Sequence, residues 1–287
     1  MCDTFPRLNI SAFPGCSISL SPPRARSNMA LRPTLIATLL ALGGVCTAQA
    51  EPALTVGNTL SFFQGKFGTN NNINIRYDAT DIQYGDSNWR VKLTVPYVSQ
   101  SGLPVGSTIV GNTVVGGSGS TQTRSASGLG DVWLAGHYKI FQGGGLTPSI
   151  TPYAKVKFGT ASSDNGLGTG KNDYELGVDL QQIVGKSWFP FANLGYRFVG
   201  NPAGQNLRNI AIYQFGASYA ASQQHIFTLM YAGQQSMVAG ASAPSDLIAA
   251  WNYNLTPNGS GFQVYVDKGL SNGSANFGVG IGGQIVF

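Results

Sequence analysis

The stretch Lys171-Asn-Asp-Tyr-Glu-Leu-Gly-Val-Asp-Leu-Gln-Gln182 decides the fold. Lys171, Asp173, Glu175, Asp179 and Gln181 share one parity, broken only by Gly177, while Tyr174, Leu176, Val178 and Leu180 share the other. Side chains of a β-strand alternate across the sheet, so this period of two sends the charges to one face and an aromatic-aliphatic strip to the other. The pattern recurs along the chain, which stops on a strand ending in Phe287. The combination predicts an all-β fold: a membrane-spanning, up-and-down antiparallel β-barrel of about 12 strands, with its outside in lipid, in the outer membrane of a Gram-negative bacterium.

Composition agrees. The 287 residues are 43% hydrophobic and 10% charged, and no long apolar run follows residue 46. That excludes a helical membrane protein. The 39 glycines suit many strands joined by tight turns, and backbone exposed to lipid must be paired in a closed sheet.

The first fifty residues read as an address. Arg24, Arg26 and Arg32 precede the apolar run Leu35 to Val45, and Ala48-Gln49-Ala50 supplies a small-x-small pattern. This predicts a secretory signal peptide over 1–50, cut after Ala50, with the barrel over 51–287 and Met29 as the natural start. Cys2, Cys16 and Cys46 all precede the cut, so the mature chain is expected to carry no disulfide. The leader holds four arginines and Asp3, so the formal charge of +5 falls to +2 on cleavage, from 13 basic and 11 acidic residues. Nothing suggests nucleic acid as a partner.

Strands are predicted over 53–63, 72–84, 88–98, 128–141, 148–159, 171–183, 188–199, 208–220, 224–234, 245–255, 261–269 and 275–287. Alternate connections are short, such as Gly85 to Ser87 and Ala221 to Gln223, and those at the opposite end include the longest, Ser99 to Ser127 and Thr160 to Gly170. Short periplasmic turns and longer external loops are the rule for such barrels. The loop Ser99 to Ser127, nearly free of charge, is expected either to move outside the barrel or to fold inward and narrow the pore. Strand one begins near the mature N-terminus, leaving no room for a plug domain.

Tyr97, Tyr138, Trp188, Tyr196, Tyr219, Trp251 and Tyr253 fall on the apolar parity toward strand ends and are expected to form two interfacial girdles. Phe277, Val279, Ile281, Ile285 and Phe287 give the last strand an apolar alternation ending in Phe. It resembles the C-terminal signal read by the outer-membrane assembly machinery, an expected partner together with the lipid itself.

The polar parity supplies the candidate pore-lining and selectivity residues: Arg76, Arg90, Lys92, Asp131, His137, Lys139, Lys155, Lys157, Asp173, Glu175, Asp179 and Arg197, with Asp78, Arg208 and Asp267 on the same proposed face. Folding the hairpin of strands five and six about its loop puts Lys157 beside Asp173 and Lys155 beside Glu175, or both slid by one pair, with Asp131 near Lys157. Such a sector either selects permeants by charge or stiffens a narrow barrel as a salt-bridged network; the pattern does not choose between them.

Enzyme readings are weaker. A barrel lipase needs a serine, a histidine base and an acidic partner. Only His137 and His225 are present, and neither has a serine in a nucleophile setting. Two histidines without cysteine make a metal site improbable, and Gly166-Leu-Gly-Thr-Gly170 opens no helix that would cradle phosphate. No catalytic residue and no cofactor is expected.

The run Ser127-Gly-Leu-Gly-Asp-Val-Trp-Leu-Ala-Gly-His-Tyr-Lys139, followed by Pro152-Tyr-Ala-Lys-Val-Lys-Phe-Gly-Thr160 and Gly166-Leu-Gly-Thr-Gly-Lys-Asn-Asp173, resembles the outer-membrane family named for the meta-pathway of phenol degradation. Phe158-Gly-Thr160 stands where that family usually has Pro-Thr-Gly. The resemblance implies an outer-membrane transporter, some members being associated with aromatic-compound catabolism. The expected function is therefore a channel for passive uptake of small organic solutes, aromatic compounds among them. The alternatives are an outer-membrane lipid hydrolase and a closed structural or surface-recognition barrel.

Overall fold

The computed structural model describes residues 51–110, 113–116 and 120–287; the expected signal peptide and its three cysteines lie outside the described residues. The strands are β1 (Ala53–Gly65), β2 (Ile73–Gly85), β3 (Trp89–Pro104), β4 (Ser107–Val110), β5 (Thr113–Gly116), β6 (Thr123–Leu129), β7 (Val132–Tyr138), β8 (Ser149–Phe158), β9 (Asp173–Gln181), β10 (Trp188–Phe198), β11 (Ile210–Ala220), β12 (His225–Gln234), β13 (Ser245–Asn254), β14 (Gly261–Gly269) and β15 (Phe277–Val286). β4 and β5 form a separate hairpin. The others form one antiparallel sheet that closes on itself, β1 pairing with both β15 and β2, and β2 with β3. β6 and β7 take one place in the wall between them, so the barrel has 12 strand positions.

The expected fourth strand over 128–141 is thus two strands. Tyr97 pairs with Leu129 but Thr94 pairs with Trp133, a slip of one residue at Gly130-Asp131. A bulge of this kind changes which parity faces inward. Gly128 lies on the inner parity of β6, whereas Trp133 and His137 face inward from β7, on the parity of Asp131 just before it.

The turns are built locally. Asp86 closes the β2–β3 turn by accepting from the backbone N–H groups of Asn88 (2.7 Å) and Trp89 (3.0 Å) through one carboxylate oxygen, the Asx arrangement that favours Asp in tight turns. The shortest connections, β2–β3 and β11–β12, lie at this end, and the longest, β8–β9 and the one that holds β4 and β5, lie at the opposite end.

The outer surface is apolar, with Leu60, Leu134, Leu176, Leu194, Phe215, Leu229, Ile281 and Ile285 all exposed. Tyr97, Tyr138, Trp188, Tyr196 and Tyr219 are exposed on the same face, and Trp188 packs on Tyr219 at a centroid distance of 4.9 Å. Inside, Gly278, Gly280 and Gly282 bare the wall of β15, and the space a Cβ would take there is filled by Phe63, Tyr265 and Thr59 respectively. Neighbouring side chains thus lie flat on a glycine floor and fill the lumen at that wall.

The loop expected over Ser99 to Ser127 starts as strand. β3 runs on to Pro104 and carries a register break between Gln100 and Leu103. Gly102 sits in the break at φ +80, where an added Cβ would lie 2.0 Å from the carbonyl oxygen of Asn72, so only glycine suits the position. Beyond it the β4–β5 hairpin folds inward across the mouth. Ile109 joins a buried cluster with Phe63, Ile73, Ile75 and Leu103 on one side. Val115 joins another with Val199, Ile210, Ile212 and Met237 on the other.

This apolar packing corrects the expected facing of β2. Ile73, Ile75 and Tyr77 point inward beneath the hairpin, so Arg76 and Asp78 are exposed on the outside, where Arg76 pairs laterally with Phe62 and Asp78 with Leu60. The lumen at this level is greasy because the hairpin that fills it is greasy. Arg208 is likewise no lumen residue: it is exposed in the connection before β11 and donates to the carbonyls of Ser236 and Val238.

Candidate lumenal charge site

The wall formed by β3, β7, β8, β9 and β10 brings together most of the expected site residues. β8 and β9 pair with Lys155 opposite Glu175 and Lys157 opposite Asp173. Strand periodicity then sends all four side chains to the lumen.

Three tiers of charge result. In the tier nearest the hairpin, Lys157 Nζ lies 2.9 Å from Asp173 and 3.2 Å from Asp131. The remaining oxygens are also used: Asp131 accepts from the backbone N–H of Ala161 and Asp173 from that of Gly200. In the middle tier Arg197 grips one oxygen of Glu175 through Nε (2.9 Å) and a terminal nitrogen (2.7 Å). The other oxygen accepts from the Tyr153 hydroxyl at 2.9 Å and lies 3.4 Å from Lys155. The Arg197 guanidinium and the Lys155 ammonium both stand over the Trp133 ring, 5.0 and 5.3 Å from its centroid, a cation–π contact. In the third tier Asp179 takes Arg90 at 3.2 Å, His137 Nδ1 at 2.9 Å and Asn193 at 2.7 Å. Arg90 also lies 2.9 Å from the same His137 nitrogen. That nitrogen accepts from Arg90 when bare and donates to Asp179 when protonated, so the proton on His137 selects between two arrangements.

Burial is what makes these pairs matter. Arg197 and Glu175 are 2% and 3% exposed, and charges out of water are tolerated only when paired and hydrogen-bonded.

Lys92 faces inward from β3 opposite Ala135, and Lys139 lies just past β7, donating to Gln142. Asp267 is buried on the opposite wall, apart from the tiers. Of the expected pore-lining set, only Arg76 is outside the barrel. Tyr153, Asn193 and Gln100 were not singled out from the sequence, although Tyr153 and Asn193 share the inward parity of Lys155 and Arg197. Parity is the signal in the sequence that marks them.

A cavity of about 50 Å³ lies between this wall and the hairpin, bounded by Tyr77, Val98, Ile109 and Leu167 and by Trp133, Lys157 and Arg197. Leu167 reaches it because the expected outer loop 160–170 also folds inward: Thr108 donates to the carbonyls of Gly166 and Gly168, and Gln100 to that of Gly166. The three quoted stretches around 127–139, 152–160 and 166–173 therefore meet in space at Asp131, Lys157 and Asp173.

Among the described residues the ring of His137 bonds to Arg90 and Asp179 and that of His225 to Trp251, with no serine side chain on either. Ser127 is exposed on β6 while His137 faces the lumen, so the wall separates them. His225 stacks on Trp251 and accepts from its indole N–H at 3.2 Å. It belongs to an aromatic cluster with Tyr253 on the same strand ends.

A closed 12-position barrel, apolar outside and charged within, is similar in fold to an outer-membrane channel from Pseudomonas putida F1, with a TM-score of 0.63 and 11% sequence identity over 85% of this chain and 99% of that one. The fold is that of an outer-membrane β-barrel. It is similar also to the KdgM porin in complex with disordered oligogalacturonate (TM-score 0.50, 12% identity, 81% of this chain and 99% of that one). The NanC porin is comparable, at a TM-score of 0.50 and 14% identity over 81% and 99% of the two chains. No protein-family model and no curated protein sequence matches the chain.

Proposed function

We propose that the protein is a passive outer-membrane channel for small organic solutes, with the β4–β5 hairpin and the loop 160–170 narrowing its outer entrance. The observation that carries this reading is the inward, tiered placement of Arg90, Lys155, Lys157 and Arg197 among four carboxylates on one wall of a closed barrel. Charged side chains lining a narrow lumen select by charge and orientation. Cations set beside Trp133 and Tyr153 suit small anions with an aromatic face, in keeping with the resemblance to the phenol-degradation family. The KdgM porin, similar in fold, is in complex with oligogalacturonate, an organic solute. The apolar exterior meets lipid, and the alternation ending in Phe287 serves the assembly machinery.

The cavity of about 50 Å³ favours a second reading, a barrel that stays shut. One water needs about 10–15 Å³ by this measure, so the space holds a few waters and no organic solute. Passage by way of this space requires the hairpin or the loop to yield. Val105 N–H bonds to Gln122 O at 3.0 Å, so the hairpin leaves the wall at two adjacent points, and residues 106–121 can be replaced by a short turn. Single-channel recording in planar bilayers compares the protein with and without them. Conductance that rises severalfold on deletion supports the channel; a deleted form that folds yet never conducts makes it a closed structural barrel.

A further inference from the structure

The two segments that roof the cavity are held to the wall by one side chain. Arg124 lies on the inner parity of β6, half-buried at the mouth, and donates to the carbonyl of Ser107 at 2.6 Å and to that of Asp164 at 3.1 Å. Ser107 opens the β4–β5 hairpin, and Asp164 belongs to the loop 160–170. Gly166 leaves room for this grip, because a Cβ there would land on the Arg124 guanidinium. Thr108 ties the same two segments together through the carbonyls of Gly166 and Gly168, so hairpin and loop form one lid. Ile109 and Leu167, a few residues along from the two gripped carbonyls, line the cavity that Lys157 and Arg197 also line.

What holds Arg124 is unlike what holds the arginines deeper in the lumen. Arg90 and Arg197 are each paired with a carboxylate, Asp179 and Glu175. Arg124 makes no ion pair among the described residues. Its bonds end on neutral carbonyls, and its Nε is buried with no partner. Arg208 also holds carbonyls, but those of Ser236 and Val238 belong to one connection, whereas Arg124 spans two separate segments. A guanidinium is a planar fork that fits a carboxylate with two parallel bonds, and such charge-assisted bonds are roughly twice as strong as those to neutral oxygens.

We propose that Arg124 is a latch worked by carboxylate: the carboxylate of an arriving organic anion draws the guanidinium off Ser107 and Asp164, and the lid, released at both segments, opens onto Lys157 and Arg197. The inference rests on the channel reading and narrows its permeant to a solute that bears a carboxylate. An uncharged aromatic offers the fork nothing stronger than the carbonyls it already holds, so it leaves the lid shut.

The test compares benzoate with benzyl alcohol, alike in ring and unlike in charge, on the intact barrel. Thermolysin cleavage within 105–122 reports the lid, and planar-bilayer recording reports the pore. Benzoate should raise both cleavage and open probability by about tenfold, the factor that roughly one net hydrogen bond is worth, and benzyl alcohol should change neither. Arg124→Gln should be open without solute and indifferent to benzoate. Thr108→Val, which loosens the lid but keeps the latch, should be cut faster than the parent and still respond to benzoate. Heat-modifiable migration on gels confirms that each variant is folded. A parent lid that benzoate leaves protected overturns the proposal, and so does one that benzyl alcohol opens equally or an Arg124→Gln lid that still responds to benzoate. The channel reading fails separately, by a form lacking 106–121 that never conducts.

Discussion

Lys157 Nζ sits between Asp173 Oδ2 at 2.9 Å and Asp131 Oδ2 at 3.2 Å, in a site where the lysine side chain is only 6% exposed. One ammonium thus holds an acid of β9 on one side of its strand and, on the other, the acid that immediately precedes β7. Lys157→Met would leave both carboxylates buried and uncompensated. We expect a loss of about 3–5 kcal/mol in urea unfolding of the refolded barrel. In a hairpin-deleted channel the reversal potential under a salt gradient should move toward cation preference. An unchanged potential would remove Lys157 from the permeation path.

Arg197→Leu should also cost about 3–5 kcal/mol, because Glu175 would keep its charge in a buried site with one cation fewer. Adding Glu175→Gln is expected to return most of that loss, since the orphaned charge disappears with its partner. Equal stabilities of single and double variants in a denaturant series would show that the guanidinium contributes through its packing on Trp133 instead.

Ile109→Glu places a carboxylate in the cluster of Phe63, Ile73, Ile75 and Leu103. Burying it there costs more than the hairpin can gain by staying, so the hairpin should lift. Limited proteolysis should then cut within 105–122 at least ten times faster, and conductance should rise. Protection unchanged from the parent would mean that the hairpin is held by contacts elsewhere.

Gly280→Leu tests the glycine floor. A Cβ at this position would lie 2.2 Å from Tyr265 Cε1, so the ring must move and its hydroxyl must leave Ser61, now 2.7 Å away. Overpacking of this kind typically costs about 1–3 kcal/mol. Gly283→Ala, on the outer face with only Gly261 O within reach at 3.6 Å, should be close to neutral in the same unfolding assay.

Much of the barrel was legible along the chain. Lys171 to Gln182 announced a two-faced strand, and the structure has it as β9 with Asp173, Glu175 and Asp179 inward and Tyr174 and Leu176 outward. The first of the two registers allowed for β8 and β9 is the one adopted. Periodicity of two reports these features because it is a local property of an extended backbone.

What periodicity leaves open is which parity faces the lumen when both sides have a claim. On β2 the rule of polar inward failed for Arg76 and Asp78, since Ile73, Ile75 and Tyr77 meet a hairpin that arrives from some thirty residues further on. The bulge at Gly130-Asp131 and the inward fold of Leu167 are decided the same way, by contacts between segments distant in sequence. The alternation of residues by itself determined that this protein is a barrel and which residues travel together on a face. The tertiary structure decided which of them meet, how far the mouth is closed and where charge is left on the outside, because each of those depends on what long-range packing puts opposite a given side chain.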